Sequence, residues 1–267
     1  MAPDKIDRIA ILVIGCGGTG SAFLQNLMPY VTHRDNDPQI KLILCDGDTV
    51  EEKNLARQVF FDDQVGMNKA TALAESIEAT FNTTVSVCDH YLENAEAIDA
   101  LLDDKRWFPV IVSCVDNLKA RAVYEEWFLK TESAVYIDCA NEEFHGEVVY
   151  ATRFGGKTLS PVRSVVFPSF YQLLAEEEKT LKFRSEMDCL QRSISSPQHI
   201  FTNKMSGLLA ANAVSVMVDQ NRPPMGVDYF VMRPSMTVTH QDTRAFLVPK
   251  ETAETKPAGK TARKKAG

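Results

Sequence analysis

The first half of the chain alternates short apolar runs with longer amphipathic stretches. The apolar runs predict strands over residues 8–15, 41–46, 84–89, 109–116 and 134–140. The stretches between them carry apolar residues at helical spacing, over residues 20–31, 65–81, 95–102 and 118–130. Strands that alternate with helices in this way indicate βαβ units, and right-handed crossovers then cover both faces of a mostly parallel sheet.

The pattern changes after residue 140. Strand-like alternation continues over residues 145–153, 228–232 and 236–240. Gly155-Gly156 predicts a turn and residues 200–219 predict a long apolar helix, whereas residues 164–196 show weak periodicity and no clear strand. The chain therefore predicts a Rossmann-like α/β fold, whose mostly parallel sheet is flanked by helices and extended by antiparallel strands in the C-terminal half.

The composition adds constraints on partners and compartment. Apolar residues make up 45% of the chain and charged residues 24%, as in ordinary globular proteins. The formal net charge of −7 argues against a general affinity for nucleic acid or anionic membranes. The N-terminus lacks the ordered zones of a signal peptide, so we expect a cytoplasmic protein. The basic segment 249–267 predicts a disordered tail, for which solvation is favoured over contact with nucleic acid.

The six cysteines form no C-x-x-C pair, so the sequence indicates no zinc ribbon. Four of them lie within or at the ends of strand-like runs, namely Cys45, Cys88, Cys114 and Cys139. We expect these four to be free thiols that act as small buried hydrophobes in a reducing compartment. Cys189 differs from them because it lies in a polar stretch.

A glycine-rich loop, 15–20, follows the first predicted strand with the sequence GCGGTG. Glycines permit a tight turn from strand to helix and let backbone N–H groups approach phosphate oxygens, while the helix directs its positive end at the anion. Asp46 ends the second predicted strand, where a carboxylate can accept both hydroxyls of an adenosine ribose. These features fit NAD as well as ATP, and Asp46-Gly47-Asp48 could instead be a simple turn.

Polar residues beyond Asp46 favour a triphosphate over NAD. Arg57 and Lys69 follow it closely, and cleavage between the α- and β-phosphates of ATP accumulates charge on the departing pyrophosphate, which cations stabilise. Asp116 ends the fourth predicted strand, at the edge where nucleotides bind in such sheets. Its carboxylate could hold Mg²⁺ directly or through water.

Together these motifs resemble the ThiF family, which includes MoeB and the adenylation domains of ubiquitin-activating enzymes. The family pattern is G-x-G-G-x-G, then D-x-D-x-V…N-L-x-R-Q, then G-x-x-K, then a strand that ends in D-N with an arginine beyond it. The chain carries these motifs in the same order at residues 15–20, 46–50, 54–58, 66–69 and 116–121.

The resemblance implies an ATP site with Mg²⁺ and without zinc. The residues that it implies for the nucleotide are Gly15, Gly17, Gly18, Gly20, Asp46, Asp48, Asn54, Arg57, Gln58, Lys69, Asp116, Asn117 and Arg121. The catalytic residues that it implies are Arg57, Lys69, Asp116 and Cys189, with Asp116 as the metal ligand. Simpler alternatives stay open for single residues: Asn54 as a helix cap, Arg57 in a surface ion pair and Lys69 on a solvated helix face.

The activity that the resemblance implies is ATP-dependent adenylation of a carboxylate, usually the C-terminal glycine of a small ubiquitin-like or sulfur-carrier protein, with transfer to Cys189 as a further step. It also implies a homodimer and one adenylation domain over residues 1–248, with a nucleotide-binding half of about 1–140 and a crossover and C-terminal half of about 141–248. Two alternatives are ATP-dependent activation of a small molecule or tRNA, and a non-catalytic nucleotide-binding module of a DNA-maintenance cassette.

The chain departs from the family in three ways. Many members receive an arginine from an N-terminal helix of the partner subunit, but only seven residues precede Arg8 here. The common zinc-binding cysteine pairs are missing. Cys189 lies beside Asp188, which disfavours a thiolate unless a neighbouring arginine intervenes, so an ordinary free cysteine is the alternative. The length, the missing zinc pairs and the segment Asp188-Cys189…Phe201-Thr202-Asn203…Ala210-Ala211-Asn212 look most like the ThiF-like proteins of bacterial PRTRC cassettes.

Overall fold

The computed structural model describes residues 5–34, 38–56, 58–180 and 199–247, with the backbone alone for residues 177–180. The strands are β1 (Arg8–Ile14), β2 (Gln39–Cys45), β3 (Ser86–Cys88), β4 (Phe108–Ser113), β5 (Ala134–Asn141), β6 (His145–Phe154), β7 (Lys157–Ser160), β8 (Gly226–Val231) and β9 (Thr237–Gln241). The helices are α1 (Gly18–Thr32), α2 (Glu52–Leu55), α3 (Lys69–Phe81), α4 (Ala95–Leu101), α5 (Leu118–Lys130), α6 (Arg163–Val166), α7 (Phe170–Thr180) and α8 (Ile200–Gln220).

One nine-stranded sheet organises the chain, in the order β3-β2-β1-β4-β5-β6-β8-β9, with β7 paired to β6. The first five strands of this order are parallel, and β6, β8 and β9 continue the sheet in antiparallel fashion. The predicted fold class is therefore confirmed. The strand order reverses between β1 and β4, and ligands of such sheets bind in the crevice outside the carboxyl ends of the strands at that point.

The sheet separates two hydrophobic cores, one on each face, and strand β1 contributes side chains to both. Ile9, Ile11 and Val13 pack on one face with α1, α3 and α8, whereas the alternate residues Ala10 and Leu12 pack on the other face with α4 and α5. A strand buried on both faces needs a continuous apolar run, which is what the sequence shows at residues 8–15.

Helix α3 begins later than its apolar spacing predicts. The predicted helix starts at residue 65, but α3 starts at Lys69 because the side chain of Asn68 caps it and accepts the N–H groups of Ala70 and Thr71. The preceding residues turn at Gly66, where φ is +91°. A capping side chain that competes with the helical pattern thus sets the boundary.

Helix α8 packs directly on α1. Gly207 lies against the neighbouring helix so closely that a Cβ there would be 2.5 Å from the backbone nitrogen of Phe23. Most of the remaining contact surface is small or aliphatic, including Ala210 and Val214. The predicted long apolar helix is therefore present and contributes to the core, while the predicted homodimer stays a prediction.

Three elements of the second half have no counterpart in the sequence-based expectation: β7, α6 and α7. Strand β7 forms a hairpin with β6 across the predicted Gly155-Gly156 turn, where both residues have positive φ. Helix α6 is only four residues long, too short for a periodic signal. The predicted tail lies outside the described residues. Within the described part of the chain, no helix is long and apolar enough to cross a membrane.

Candidate functional site

The glycine-rich loop closes the turn between β1 and α1 at the point where the strand order reverses. Gly15 has φ of +92°, and a Cβ there would be 2.8 Å from the carbonyl oxygen of Cys114, which follows β4. A Cβ on Gly20 would overlap the carbonyl oxygen of Gly15. Only glycine fits these two positions, and the tight turn leaves the N-terminus of α1 at the crevice, where backbone N–H groups favour an anion.

Asp46 joins this loop to the end of β2. It is 9% exposed, and its Oδ2 accepts the backbone N–H of Cys16 at 2.6 Å. Its Oδ1 accepts the backbone N–H of Asp48 at 2.8 Å. Burial raises the pKa of Asp46, although the charge of Lys69 opposes the shift. The two N–H donors fix the carboxylate in the crevice and leave acceptor capacity for further donors.

Lys69 lies beside Asp46 in an ion pair with Asp48. Its Nζ is 3.0 Å from Asp48 Oδ2, and the hydroxyl of Tyr91 donates to the other carboxylate oxygen. Lys69 is only 6% exposed, so the alternative of a lysine on a solvated helix face is wrong. Asn68 completes the cluster, since its amide donates to the carbonyl oxygen of Asp46 at 2.7 Å. The sequence reasoning did not identify Tyr91 or Asn68.

The segment that follows Asp46 contains a helix-capping side chain, Asn54, and a buried hydrogen-bond acceptor without a described partner, Gln58 Oε1. Asn54 Oδ1 accepts the N–H of Glu51 at 3.0 Å, which is the helix-cap alternative. The amide of Gln58 approaches the glycine loop, 3.5 Å from where a Cβ on Gly17 would lie. Among the described residues, Gln58 Oε1 is buried without a hydrogen-bond partner. Arg57 and Cys189 lie outside the described residues.

The loop after β4 carries the predicted metal ligand at the mouth of the crevice. Asp116 is exposed, and Asn117 caps α5 by accepting the N–H of Ala120 at 2.8 Å. Arg121 is buried and donates to the carbonyl oxygens of Val115, at 2.5 Å, and Cys139, at 2.8 Å. It therefore ties the Asp116 loop to β5.

Arg121 is one end of a buried ionic chain, which comprises Arg121, Asp138, Arg163 and Glu147. Asp138 is fully buried and pairs with both arginines, and Arg163 reaches Glu147 at 2.5 Å. Burial opposes the ionisation of Asp138, but the two arginines hold its pKa below the ordinary value. The guanidinium of Arg121 is thus engaged by groups of the chain itself. Its predicted contact with a nucleotide stays a prediction.

A second polar cluster joins the glycine loop to α8, and the sequence reasoning did not identify its members as a site. Asn141 donates to Asn203 Oδ1 at 2.7 Å, and Thr19 donates to Asn141 Oδ1 at 3.1 Å. The amide nitrogen of Asn203 lies so close to Gly18 that a Cβ there would overlap it. The contacts of this cluster join segments more than 60 residues apart, so local pattern could not predict them. The only signal in the sequence is that Asn203 is a polar residue within the apolar helix α8.

The geometry fits the nucleotide and metal that the motifs imply. The tight packing of Gly15 and Gly20 against neighbouring backbone leaves the N-terminus of α1 at the crevice, where N–H groups favour a phosphate. Among the described residues, Gln58 Oε1 is a buried acceptor without a partner, which a ligand donor could satisfy. Within the described residues, no group of three acidic, histidine or cysteine side chains could hold a metal alone. Mg²⁺ that is shared with phosphates needs only one or two carboxylates, which is compatible with the prediction of Asp116 as its ligand.

Comparison with known proteins identifies the family to which the chain belongs. The sequence model described as the ThiF family matches residues 2–244. The chain belongs to the ThiF family.

Curated relatives of this ThiF-family chain are longer proteins. Adenylyltransferase and sulfurtransferase MOCS3 of Mus musculus is 32% identical over 165 residues, which cover 61% of this chain and 33% of the relative. SUMO-activating enzyme subunit 2 of Dictyostelium discoideum is 32% identical over 119 residues, or 44% of this chain and 17% of the relative. The chain thus spans a third or less of the length of these two relatives.

Solved structures show the same fold. PaaA matches with a TM-score of 0.62 at 16% identity, over 89% of this chain and 74% of that one. A structure of E. coli MccB with ATP matches with a TM-score of 0.59 at 16% identity, over 90% of this chain and 65% of that one. These likenesses extend beyond the parallel half, so the antiparallel extension of the sheet belongs to the shared fold.

Proposed function

We propose that this ThiF-family chain binds ATP with Mg²⁺ at the carboxyl edge of its sheet and adenylates the C-terminal carboxylate of a small ubiquitin-like or carrier protein. The observation that carries the proposal is Asp46, a buried carboxylate held by backbone N–H groups of the glycine loop and of the loop after β2. The arrangement supports the proposal because Asp46 lies beside the glycine loop at the strand-order reversal, where nucleotides bind in such sheets.

The buried cation favours a triphosphate over NAD. Lys69 lies within the same cluster as Asp46, and its ammonium group is held by Asp48 rather than by solvent. A preorganised positive charge in a dry site stabilises charge that develops on departing pyrophosphate. The names of the curated relatives, an adenylyltransferase and a SUMO-activating enzyme subunit, support the same reading.

The residues divide the work as follows. The glycine loop and the N-terminus of α1 hold phosphate oxygens, and Asp46 accepts the ribose hydroxyls. Lys69 stabilises the departing pyrophosphate, a role that the sequence motif also gives to Arg57, and Asp116 would hold Mg²⁺, which neutralises phosphate charge when bound. No general base is needed because the attacking carboxylate is already ionised, so catalysis rests on position and electrostatics.

Further parts of the proposal rest on the sequence alone. Transfer of the acyl group from adenylate to Cys189 would form a thioester and release AMP, and a dithiothreitol-sensitive bond to the partner would detect it. Membership of the PRTRC branch, a homodimer and a cytoplasmic location remain predictions of the same kind.

ATP–pyrophosphate exchange tests the proposed reaction. With Mg²⁺ and a small protein encoded by a neighbouring gene, we expect exchange that depends on one such protein and falls at least about 100-fold in Asp116→Ala. Asp104→Ala is the matched control, because Asp104 is a carboxylate paired with Arg106 just before β4, at the opposite edge of the sheet. Equal exchange in Asp116→Ala and wild type would contradict the assigned role of Asp116.

A non-catalytic nucleotide-binding module is the second candidate, favoured by one observation. Arg121 and Lys69 are both engaged by carboxylates of the chain itself, Asp138 and Asp48. If these pairs persist with nucleotide bound, less charge remains for the leaving group. This candidate predicts ATP binding by calorimetry without exchange, whichever partner is supplied.

A further inference from the structure

Cysteines lie at the carboxyl ends of all five parallel strands. Cys16 follows β1, Cys45 ends β2, Cys88 ends β3, Cys114 follows β4 and Cys139 lies near the end of β5. All five are free thiols at the edge that carries the nucleotide-site candidates. The proposed adenylation uses none of them.

Two of these thiols are close enough to react with each other. Cys45 and Cys88 are register partners on β2 and β3, and their sulfur atoms are 3.3 Å apart. Neighbouring strands are about 4.8 Å apart, within the Cα separation that a disulfide tolerates, so the sulfurs need to approach by only about 1 Å. The ring nitrogens of His90 are 3.6 and 3.7 Å from Cys88 Sγ.

The two members of the pair differ in reactivity. The thiol of Cys45 donates to the sulfur of Cys88, and this hydrogen bond lowers the pKa of Cys88 to about 6. Thiolates, not thiols, attack oxidants. Cys114 behaves in the opposite way, because its contact with Cys139 and its burial raise its pKa. The pair of Cys114 and Cys139 therefore provides an internal comparison.

We propose that Cys45 and Cys88 are a peroxide-sensitive thiol pair whose disulfide weakens nucleotide binding. This proposal rests on the nucleotide site proposed above. The Cys88 thiolate attacks one oxygen of hydrogen peroxide and the O–O bond breaks. The departing hydroxide takes up the proton that Cys88 had released to solvent, so a sulfenic acid and one water form. The Cys45 sulfur then attacks the sulfenic sulfur while its proton passes to the departing hydroxyl, the S–S bond forms and a second water leaves, so that two thiols are oxidised by one peroxide. Although Cys88 is 4% exposed, peroxide is close to water in size.

The backbone connects this pair to the nucleotide site. Asp46 follows Cys45 directly, and its N–H donates to the carbonyl oxygen of Cys88 at 3.1 Å. The carbonyl oxygen of Cys45 accepts the N–H of Gly15 at 2.9 Å, within the glycine loop. The approach of the two sulfurs therefore acts through the backbone of Cys45 and Cys88 on the carboxylate of Asp46 and on the glycine loop, where misplacement by about 1 Å can cost a site much of its efficacy.

Peptide mapping and calorimetry test the pair on the full chain. After peroxide treatment we expect a Cys45–Cys88 disulfide, unmodified Cys114 and Cys139, and an ATP·Mg²⁺ dissociation constant raised about tenfold or more, restored by dithiothreitol. Cys45→Ala should keep its affinity in peroxide, whereas the control Cys114→Ala should lose affinity as wild type does. Absence of the disulfide, or an equal loss in Cys45→Ala, would overturn the proposal.

The two readouts separate this proposal from the proposed function. Failure of the reduced protein to bind ATP would overturn the nucleotide site and any coupling to it, while the peptide map still decides whether the thiol pair exists. Reduced protein that binds ATP, together with oxidised protein that carries the disulfide and binds equally well, would overturn the coupling alone.

Discussion

Buried polar side chains of this chain differ mainly in whether they have partners. Asp46 and Lys69 are both buried, and each is satisfied by groups from another segment of the chain. Gln58 Oε1 and Glu125 Oε2 are buried with no hydrogen-bond partner among the described residues. An unsatisfied buried acceptor costs about 1–3 kcal/mol, so a ligand donor that reaches Gln58 would recover part of that energy on binding.

Glu125 gives a pH dependence of stability with a definite sign. Burial raises its pKa to about 7, with partial compensation by hydrogen bonds from Ser164. Between the ordinary glutamate pKa and about 7, the folded chain binds more protons than the unfolded chain, so this group lowers the free energy of unfolding as pH rises. The change in the free energy of unfolding caused by Glu125→Gln should therefore be more favourable at pH 8 than at pH 5. We expect a difference of about 1–3 kcal/mol between the two pH values, measured by urea unfolding.

Glu126→Gln is the control for this prediction, because Glu126 is exposed and pairs with Lys130 on the same helix. Its effect should be the same at both pH values within about 0.5 kcal/mol. A pH-independent effect of Glu125→Gln would show that the carboxyl is ionised in both states.

Helices α1 and α8 act as one unit around the glycine loop. Asn203 of α8 hydrogen-bonds Asn141 at the end of β5 and lies against Gly18 at the start of α1. Any displacement of α8 is therefore transmitted to the N-terminus of α1, where the phosphate site is proposed. This contact makes the position of the loop depend on an element nearly 200 residues away in sequence.

A double-mutant cycle tests that contact. A Cβ on Gly18 would overlap the Asn203 amide, which cannot move away without breaking its bond to Asn141. We expect Gly18→Ala to lower the free energy of unfolding by about 1–2 kcal/mol in wild type and by clearly less in the Asn203→Ala background. Thermal or urea unfolding of the four proteins measures the coupling.

Gly156→Ala serves as the comparison for Gly18→Ala. A Cβ on Gly156 would meet nothing within 4 Å, although the positive φ of Gly156 adds strain of its own. Its cost should be the same in both Asn203 backgrounds. Equal costs of Gly18→Ala in both backgrounds would mean that the amide yields without loss.

Across the whole molecule, the sequence predicted the parts that depend on local pattern. The continuous burial of β1, the Gly15–Gly20 turn and the order of strands and helices in the parallel half each follow from a few neighbouring residues. The contacts of Tyr91, Asn141 and Asn203 did not follow, because they join segments far apart in sequence. Helix α6 was missed because four residues carry no period.

The same limit applies to charge. Arg121 was expected to face a nucleotide, yet its pairing with Asp138 depends on how α5 lies over β5, which a motif does not encode. Conversely, the alternative that placed Lys69 on a solvated helix face is wrong, because Lys69 is buried beside Asp48. The motifs thus supplied candidate residues, and the fold shows which groups of the chain those residues contact.

The ionic chain beneath the Asp116 loop also constrains how this protein can diverge. Loss of Asp138 alone would leave the buried guanidinium of Arg121 without a countercharge and Arg163 with Glu147 alone, at a cost of about 3–5 kcal/mol, whereas exchange of the whole set for apolar residues is often neutral. Homologues should therefore keep Arg121, Asp138 and Arg163 together or replace them together, and an alignment with frequent single replacements would contradict this. Sequences that carry only part of the ionic set should fold poorly, so a lineage that changes from the ionic set to an apolar set has to pass through such sequences. These three positions should therefore change together during evolution.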